Sequence, residues 1–399
     1  MLGVTKSTLY AYVSRGKLTA SPGTKPATRS YHRGEVERLA AGRARGVRQV
    51  ARATLDWGVP VLESKLTLIA DQRLYYRGMD AVALSDEANL EDVACLLWQA
   101  APVDAFGGVP PGMPASWGRD WAAWRSMPLP DRVLAAFSLL QAHRPASRTQ
   151  ADARFSAKEA GALLRLSCAA ALGHAAAAVP VHEQFAAGWR LRPQGADAVR
   201  AALVLSADHE LNTSGFVARC IASTGAGLGQ SVVGGLAALS GGRHGGMTAR
   251  VEAMWDELAR AKTLRAGVER LLARGDPICG FGHPLYPDGD PRAEAILARL
   301  PAGEVRKQAR RLARQAEAST GHRPSLDFAL VALRRALGAP ADGAYALFSV
   351  GRTVGWLAHA LEQRTTGELI RPRAAYTGVL PAGEVHLAPA RGPVSVFVR

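Results

Sequence analysis

The chain has 399 residues, of which 48% are hydrophobic and 21% charged. That length buries one large core or two to three modest ones, and the balance excludes a disordered chain. Its formal charge of +15 is uneven, because residues 1–50 hold ten Lys/Arg against only Glu35 and Glu37. A basic end of this kind attracts phosphate groups, nucleic acid among them, and serves equally well as a solvated face. Cys95, Cys168, Cys220 and Cys279 stand singly, without a C-x-x-C pair. This argues against a disulfide framework or a zinc knuckle and makes a reducing cytoplasm the expected location. The longest apolar stretch, around Cys168 to Val181, is interrupted by His174 and Pro180 and is too short for a membrane span. No secretory signal is visible.

Residues 1–48 read as a separate unit. Leu2, Val4, Leu9, Tyr12 and Val13 follow a helical spacing, which Gly16 closes as a C-cap. Ser21, Pro22, Gly23, Lys25 and Pro26 predict a loop; Arg29, Tyr31, Arg33, Glu35, Val36 and Leu39 run from an extended piece into a second helix. The segment resembles the winged helix-turn-helix of MerR-like and excisionase-like DNA binders. In that family the helix holding Ser7, Thr8 and Tyr10 enters the major groove, so DNA is a partner the resemblance implies. Those modules carry a further helix before the turn, and this chain opens almost on the turn itself. An Arg-rich, acid-poor start is also the composition of an organelle transit peptide.

From about residue 55 onward, amphipathic stretches alternate with short Gly/Pro turns, and no β-branched alternation is long enough for a sheet. The body is therefore expected to be all-α, with helical blocks at 91–100, 131–141, 158–172, 196–205, 250–274, 291–300 and 343–362. No internal repeat is present.

Three constellations could carry chemistry. Asp208, His209, Glu210, Leu211, Asn212, Thr213 and Ser214 form a dense polar cluster between apolar helices, where burial is costly without dedicated partners. The same spacing fits a helix junction in which Asn212 and Ser214 cap a helix starting at Phe216. In Gly241-Gly242-Arg243-His244-Gly245-Gly246 the glycines let backbone and ligand approach one imidazole at the head of the next helix. A helix N-terminus disfavours an imidazolium and favours a neutral His244 that polarises a carbonyl; a glycine turn with an exposed histidine is the alternative. A second framed histidine follows in Gly280-Phe281-Gly282-His283-Pro284-Leu285-Tyr286, with Arg292 on the opening turn of the next helix.

By contrast Gly225-Ala226-Gly227-Leu228-Gly229 lacks a preceding strand and reads as a tight helix break, not a dinucleotide loop. Asp327 opens an apolar helix, where it suits the dipole, and Arg352 and Arg371 equally fit the surface.

Taken together, D-H-E-L-N-T-S, G-G-R-H-G-G, G-F-G-H-P-L-Y-P-D-G-D-P-R, S-L-D-F, G-R-T-V-G-W-L-A-H and I-R-P-R-A-A-Y-T-G resemble the citrate synthase family in order and approximate spacing, from roughly Leu66 to Gly378. Leu74-Tyr75-Tyr76-Arg77-Gly78 and Leu90-Glu91-Asp92-Val93-Ala94 are similar to that family's opening signature. The resemblance implies an all-α fold with a large domain from residues 49–250 and 335–399 and a small one from 251–334, closing over the substrates, in a homodimer. It implies Asp327 as the base on an acyl-CoA methyl, His244 as the donor to the thioester oxygen and His283 as the donor to the ketone of oxaloacetate. His209, Arg292 and Arg352 would hold the keto acid, with Arg371 supplied by the neighbouring subunit, and Gly280, Phe281 and Gly282 would meet the coenzyme A thioester. No permanent cofactor and no metal are implied. The family's products are citrate from acetyl-CoA or 2-methylcitrate from propionyl-CoA, and a regulator with a synthase-like sensor body is the alternative suggested by residues 1–48. Two departures stand out: Met247-Thr248 replaces the family's Ala-Asn after the first framed histidine, and Gly215 stands where a hydroxyl residue is usual.

Overall fold

The computed structural model describes residues 62–143 and 153–372, together with two short strands nearer the start. The chain forms two compact units, Met1–Ser64 and Lys65–Arg399. In the first unit β1 (Ala20–Pro22) and β2 (Arg29–Tyr31) pair antiparallel, with Ser21 opposite Ser30. Ser21 and Pro22, expected in a loop, are thus strand residues. The two helices expected to flank them, and with them the DNA-reading segment, lie outside the described residues.

The second unit opens with a small sheet that the sequence reading did not anticipate: β3 (Thr67–Ala70), β4 (Arg73–Tyr76) and β5 (Met79–Asp80), antiparallel in that order. The strands are too short to show a period, and turn chemistry makes them. Asp71 and Gln72 (φ 48° and 58°) and then Arg77 and Gly78 (φ 46° and 84°) are paired left-handed residues, the geometry that reverses a hairpin in two residues. Leu74 and Tyr76 point inward, and the Tyr76 hydroxyl lies 3.0 Å from the Val204 carbonyl and 3.2 Å from that of Asp208.

Among the described residues the other regular elements of this unit are helices. Asp80 caps α1 (Ala81–Glu87), and a reciprocal Asn89/Asp92 capping box starts α2 (Leu90–Trp98). Then come α3 (Pro102–Phe106), α4 (Trp117–Ala123), α5 (Leu129–Ala142), α6 (Ala153–Leu172), α7 (Val181–Trp189) and α8 (Pro193–Ser206). Asn212 caps α9 (Thr213–Ser223) by accepting from the Gly215 amide, and the expected glycine break separates α9 from α10 (Leu228–Leu239). The stretch expected as one helix over 250–274 is two, α11 (Met247–Ala259) and α12 (Leu264–Ala273), because Thr263 accepts a hydrogen bond from the Ala266 amide and caps a new start. The rest are α13 (Pro291–Ala298), α14 (Glu304–Thr320), α15 (Leu326–Ala336) and α16 (Gly343–Thr366).

The last helix organises the others. Its 24 residues are buried from Gly343 through Ala360, with α2, α6, α8, α9, α10 and α15 packed around it. Glycine lets α16 cross the end of α8 closely: a Cβ at Gly355 would lie 2.4 Å from Asp208 Oδ1 and 2.5 Å from the Ala207 carbonyl. That approach sets Arg352, one turn earlier, against the end of α8, where its Nε donates to the Ser206 carbonyl at 2.8 Å.

Candidate active site

His283 and Asp327 come from segments 44 positions apart that are laced together by backbone. The Gly282 amide donates to the Arg323 carbonyl and the Ser325 amide to the Gly280 carbonyl, both at 2.8 Å. Gly280 and Gly282 adopt φ of 80° and 77°, and a Cβ at Gly280 would meet Val251 Cγ2 at 2.7 Å, so the loop depends on glycine at both conformation and contact. Phe281 packs on Phe328 (4.7 Å between centroids), which itself stacks on Trp255 (5.4 Å). A third tie runs through Asp290: it grips Arg292 with both oxygens, at 2.9 and 2.7 Å, and one of them also accepts the Leu326 amide at 3.1 Å. One carboxylate thereby sets the guanidinium and the start of the Asp327 helix in a common frame.

Asp327 itself is half-buried, yet its Oδ1 is sealed from solvent without a hydrogen-bond partner. Burial pushes its acid up to about 6, against the pull of Arg292 and with Asp290 adding to the rise. Such a carboxylate is a stronger base than a solvated aspartate.

The histidines are held neutral. Burial, then the positive field of Arg352, lowers His244 to about 4; burial, then Arg292, does the same to His283. His209 is 8% exposed and depressed further still, by burial and by Arg292, His283, Arg352 and His244 around it. Neutrality at His244 was expected from a helix N-terminus, whereas desolvation is its first cause here. His283 Nδ1 accepts the Leu285 amide at 3.2 Å, so its neutral ring carries the proton on Nε2. His244 Nε2 lies 2.7 Å from Ser214 Oγ, which also receives the Trp356 indole N–H at 3.0 Å and donates its own proton to Asn212 Oδ1 at 2.8 Å. The ring of Phe348 stands edge-on to His244 at 5.9 Å, under the guanidinium of Arg352 at 4.9 Å.

Both arginines of this cluster are buried, Arg292 at 3% exposure and Arg352 at 1%. A surface reading of Arg352 therefore fails; the close α8–α16 crossing takes it inside. Burial lowers Arg352 to about 10, a value at which it still keeps its charge at neutral pH. For Arg292 burial works against the charge and the bidentate Asp290 outweighs it, so the guanidinium is held above its ordinary value.

Six of the expected residues, His209, His244, His283, Arg292, Asp327 and Arg352, are thus linked electrostatically through the two buried arginines. Arg371 does not join them: it is exposed on the chain leaving α16. Gly215 leaves no gap, since the His359 ring lies 3.2 Å from where its Cβ would be. Thr248 bonds back to the Gly245 carbonyl at 2.9 Å, and Met247 packs half-buried on the core. Tyr286, Asp290 and Trp356 stand inside the motifs quoted above but were given no role of their own, and Phe348 was not named. Among the described residues no His/Cys/Asp/Glu group could hold a metal ion, and no helix is long and apolar enough to cross a membrane.

The arrangement pairs a desolvated base with neutral N–H donors and buried guanidinium groups, which suits enolisation beside a bound carboxylate. The chain is similar to the putative citrate synthase 2 of Mycobacterium tuberculosis H37Rv, 39% identical over 206 residues, 47% of this chain and 53% of that one. It spans about half the length of such curated relatives. It is also 29% identical over 350 residues to the 2-methylcitrate synthase of the same strain, covering 80% of this chain and 89% of that one. The fold matches that of Thermoplasma acidophilum citrate synthase, solved as a ternary complex with carboxymethyl coenzyme A and oxaloacetate. The TM-score is 0.66 at 24% identity over 83% of this chain and 97% of that one, a likeness that speaks for fold alone. A family model described as the C-terminal domain of citrate synthase matches residues 54–373, and this chain belongs to the citrate synthase family.

Proposed function

We propose that the protein condenses an acyl-CoA with oxaloacetate, giving citrate and free coenzyme A from acetyl-CoA. The observation that carries this reading is the unpartnered, buried Oδ1 of Asp327, with its acid raised to about 6, in the same cluster as two neutral histidines. Asp327 takes a proton from the thioester methyl while His244 donates to the thioester oxygen. The enol carbon then attacks the ketone carbon of oxaloacetate as the Nε2–H of His283 donates to the ketone oxygen. Water hydrolyses the resulting citryl thioester. His209, Arg292 and Arg352 hold the carboxylates, which planar guanidinium forks suit better than a lysine. Gly280, Phe281 and Gly282 meet the coenzyme A.

A thioester methyl is a very weak acid, and a positioned base supplies only about 10²–10⁴ in rate. A preorganised donor at the enolate oxygen adds about 3–4 kcal/mol, and holding both reactants together contributes roughly 7–11 kcal/mol. His244 therefore matters as much as Asp327. For His244 to donate from Nδ1, the Ser214 hydroxyl proton must turn from Asn212 Oδ1 to His244 Nε2.

The working form is a homodimer in which Arg371 reaches the site of the second copy, and residues 251–334 act as the smaller, closing domain. Phe216, Val217 and Ile221 of α9 and Val233 of α10 stay half-exposed, an apolar surface available to a partner copy. Light scattering on the full chain measures this: a monomer at micromolar concentration rules the dimer out.

Propionyl-CoA, giving 2-methylcitrate, is the second reading, favoured by the 2-methylcitrate synthase relative's coverage of 80% of this chain. Thiol release with oxaloacetate and each acyl-CoA in turn tests both. Release from neither, or an Asp327→Ala variant as active as the parent, overturns the condensation itself.

A further inference from the structure

We propose that Tyr286 is a positioning residue of the keto-acid end: its hydroxyl fixes the ring plane and the proton placement of His209. The kinetic half of this inference rests on the function proposed above; the structural half stands without it.

Tyr286 is 1% exposed and touches three groups of the cluster at once. Its ring lies 5.2 Å from that of His283, its face lies beneath the Arg292 guanidinium at 5.4 Å, and its oxygen is 3.0 Å from His209 Nε2. His209 meets the His283 ring edge-on, at 88° and 5.1 Å, so its plane is set on one side by that ring and on the other by the phenol. A neutral imidazole has one proton for two nitrogens, and the partner of one nitrogen decides where it sits.

Here the partner is unambiguous in its needs. Burial pushes the Tyr286 phenol up to about 12, against the field of Arg292, so it keeps its proton at neutral pH. Among the described residues His209 Nε2 is the hydroxyl's one hydrogen-bond partner. Were His209 to donate, the phenol O–H would be left unpaired in the interior, a costly arrangement. Donation therefore runs from Tyr286 Oη–H to Nε2, and the His209 proton resides on Nδ1. That leaves an N–H donor on the ring for a substrate carboxylate. The opposite tautomer would turn a lone pair toward the anion and repel it.

Tyr286→Phe in the full-length protein removes one oxygen and keeps the ring under Arg292 and against His283. With ¹⁵N-histidine labelling, the long-range nitrogen–proton correlations of His209, assigned by their loss in His209→Gln, report proton placement without substrate. The expected result is a single Nδ1–H tautomer in the parent and a mixture, or the other tautomer, in Tyr286→Phe. Kinetically, KM for oxaloacetate rises about 10- to 100-fold, the worth of a hydrogen bond to a charged group. KM for the acyl-CoA stays near the parent's. Identical tautomer signatures in the two proteins overturn the proposal, as does an equal rise in both KM values. If the parent releases no thiol with either acyl-CoA, the proposed reaction falls, while the nitrogen spectra still decide the tautomer.

Discussion

His283 takes its orientation from its own loop, through the Leu285 amide on Nδ1, whereas His244 leans on Ser214, a side chain from α9 that also serves Trp356. In sequence the two glycine-framed histidines look equivalent. In the fold one tautomer is written into the local backbone, and the other depends on whether the Ser214 hydroxyl proton stays on Asn212 Oδ1 or turns to His244 Nε2. A locally held donor should tolerate changes elsewhere in the molecule, and a network-held donor should not.

The largest expected effect treats both histidines alike. Asp327→Asn removes the base that each donor assists, and kcat should fall about 10²–10⁴-fold with little change in either KM. A loss smaller than tenfold would move the proton abstraction elsewhere. Next, His244→Gln and His283→Gln should each cost on the order of 10²–10³ in kcat, the worth of one preorganised donor. Isotope exchange from the acyl methyl separates them: it is lost with His244 and retained with His283, which acts only on the ketone. Retention in both variants would contradict the division of labour.

Ser214→Ala sharpens the comparison itself. It should lower kcat about tenfold through His244 while leaving the methyl-exchange rate and kcat changing together. It should also destabilise the protein by about 1–3 kcal/mol, because the buried Trp356 N–H loses its acceptor. Equal kinetic behaviour of Ser214→Ala and the parent would make the hydroxyl structural only.

The smallest expected effects are those of pH. Asp327 is raised to about 6, so kcat/KM should decline as pH falls through 6, with the lower-lying His244 and His283 unprotonated in that range. An inflection near 4 instead would assign the limb to the histidines. Stability carries the opposite signs. Between its ordinary value of 3.8 and about 6 the folded protein binds more protons at Asp327 than the unfolded chain, so this group's cost grows as pH rises, to at most about 3 kcal/mol above 6. The two depressed histidines do the reverse: their stability is present above 6.5 and is lost as pH falls toward 4. Melting curves should therefore show Asp327→Asn gaining on the parent at pH 8 and not at pH 4.

Much of this was legible in the residues. The all-α body, the α9–α10 glycine break, the Asn212 cap and both framed histidines follow from helical spacing, cap chemistry and glycine placement, all local properties. The small sheet was missed because two- to four-residue strands have no period to read, only turn residues such as Asp71 and Gln72. The break at Thr263 was missed because one cap inside an amphipathic stretch is a weak signal beside its neighbours.

By itself, the sequence determined which residue types this protein could bring to bear and on which elements they sit. Apart from the His283 tautomer, which the nearby Leu285 amide sets, tertiary structure decided their chemical state. Arg352 became a buried cation only where α16 crosses α8 at Gly355, and Asp327 became a base near 6 only where packing sealed its Oδ1. Tyr286 acquired a role only when its loop carried it to His209. Desolvation and hydrogen-bond partnership depend on what surrounds an atom in space, and neighbours in space are not neighbours in the chain.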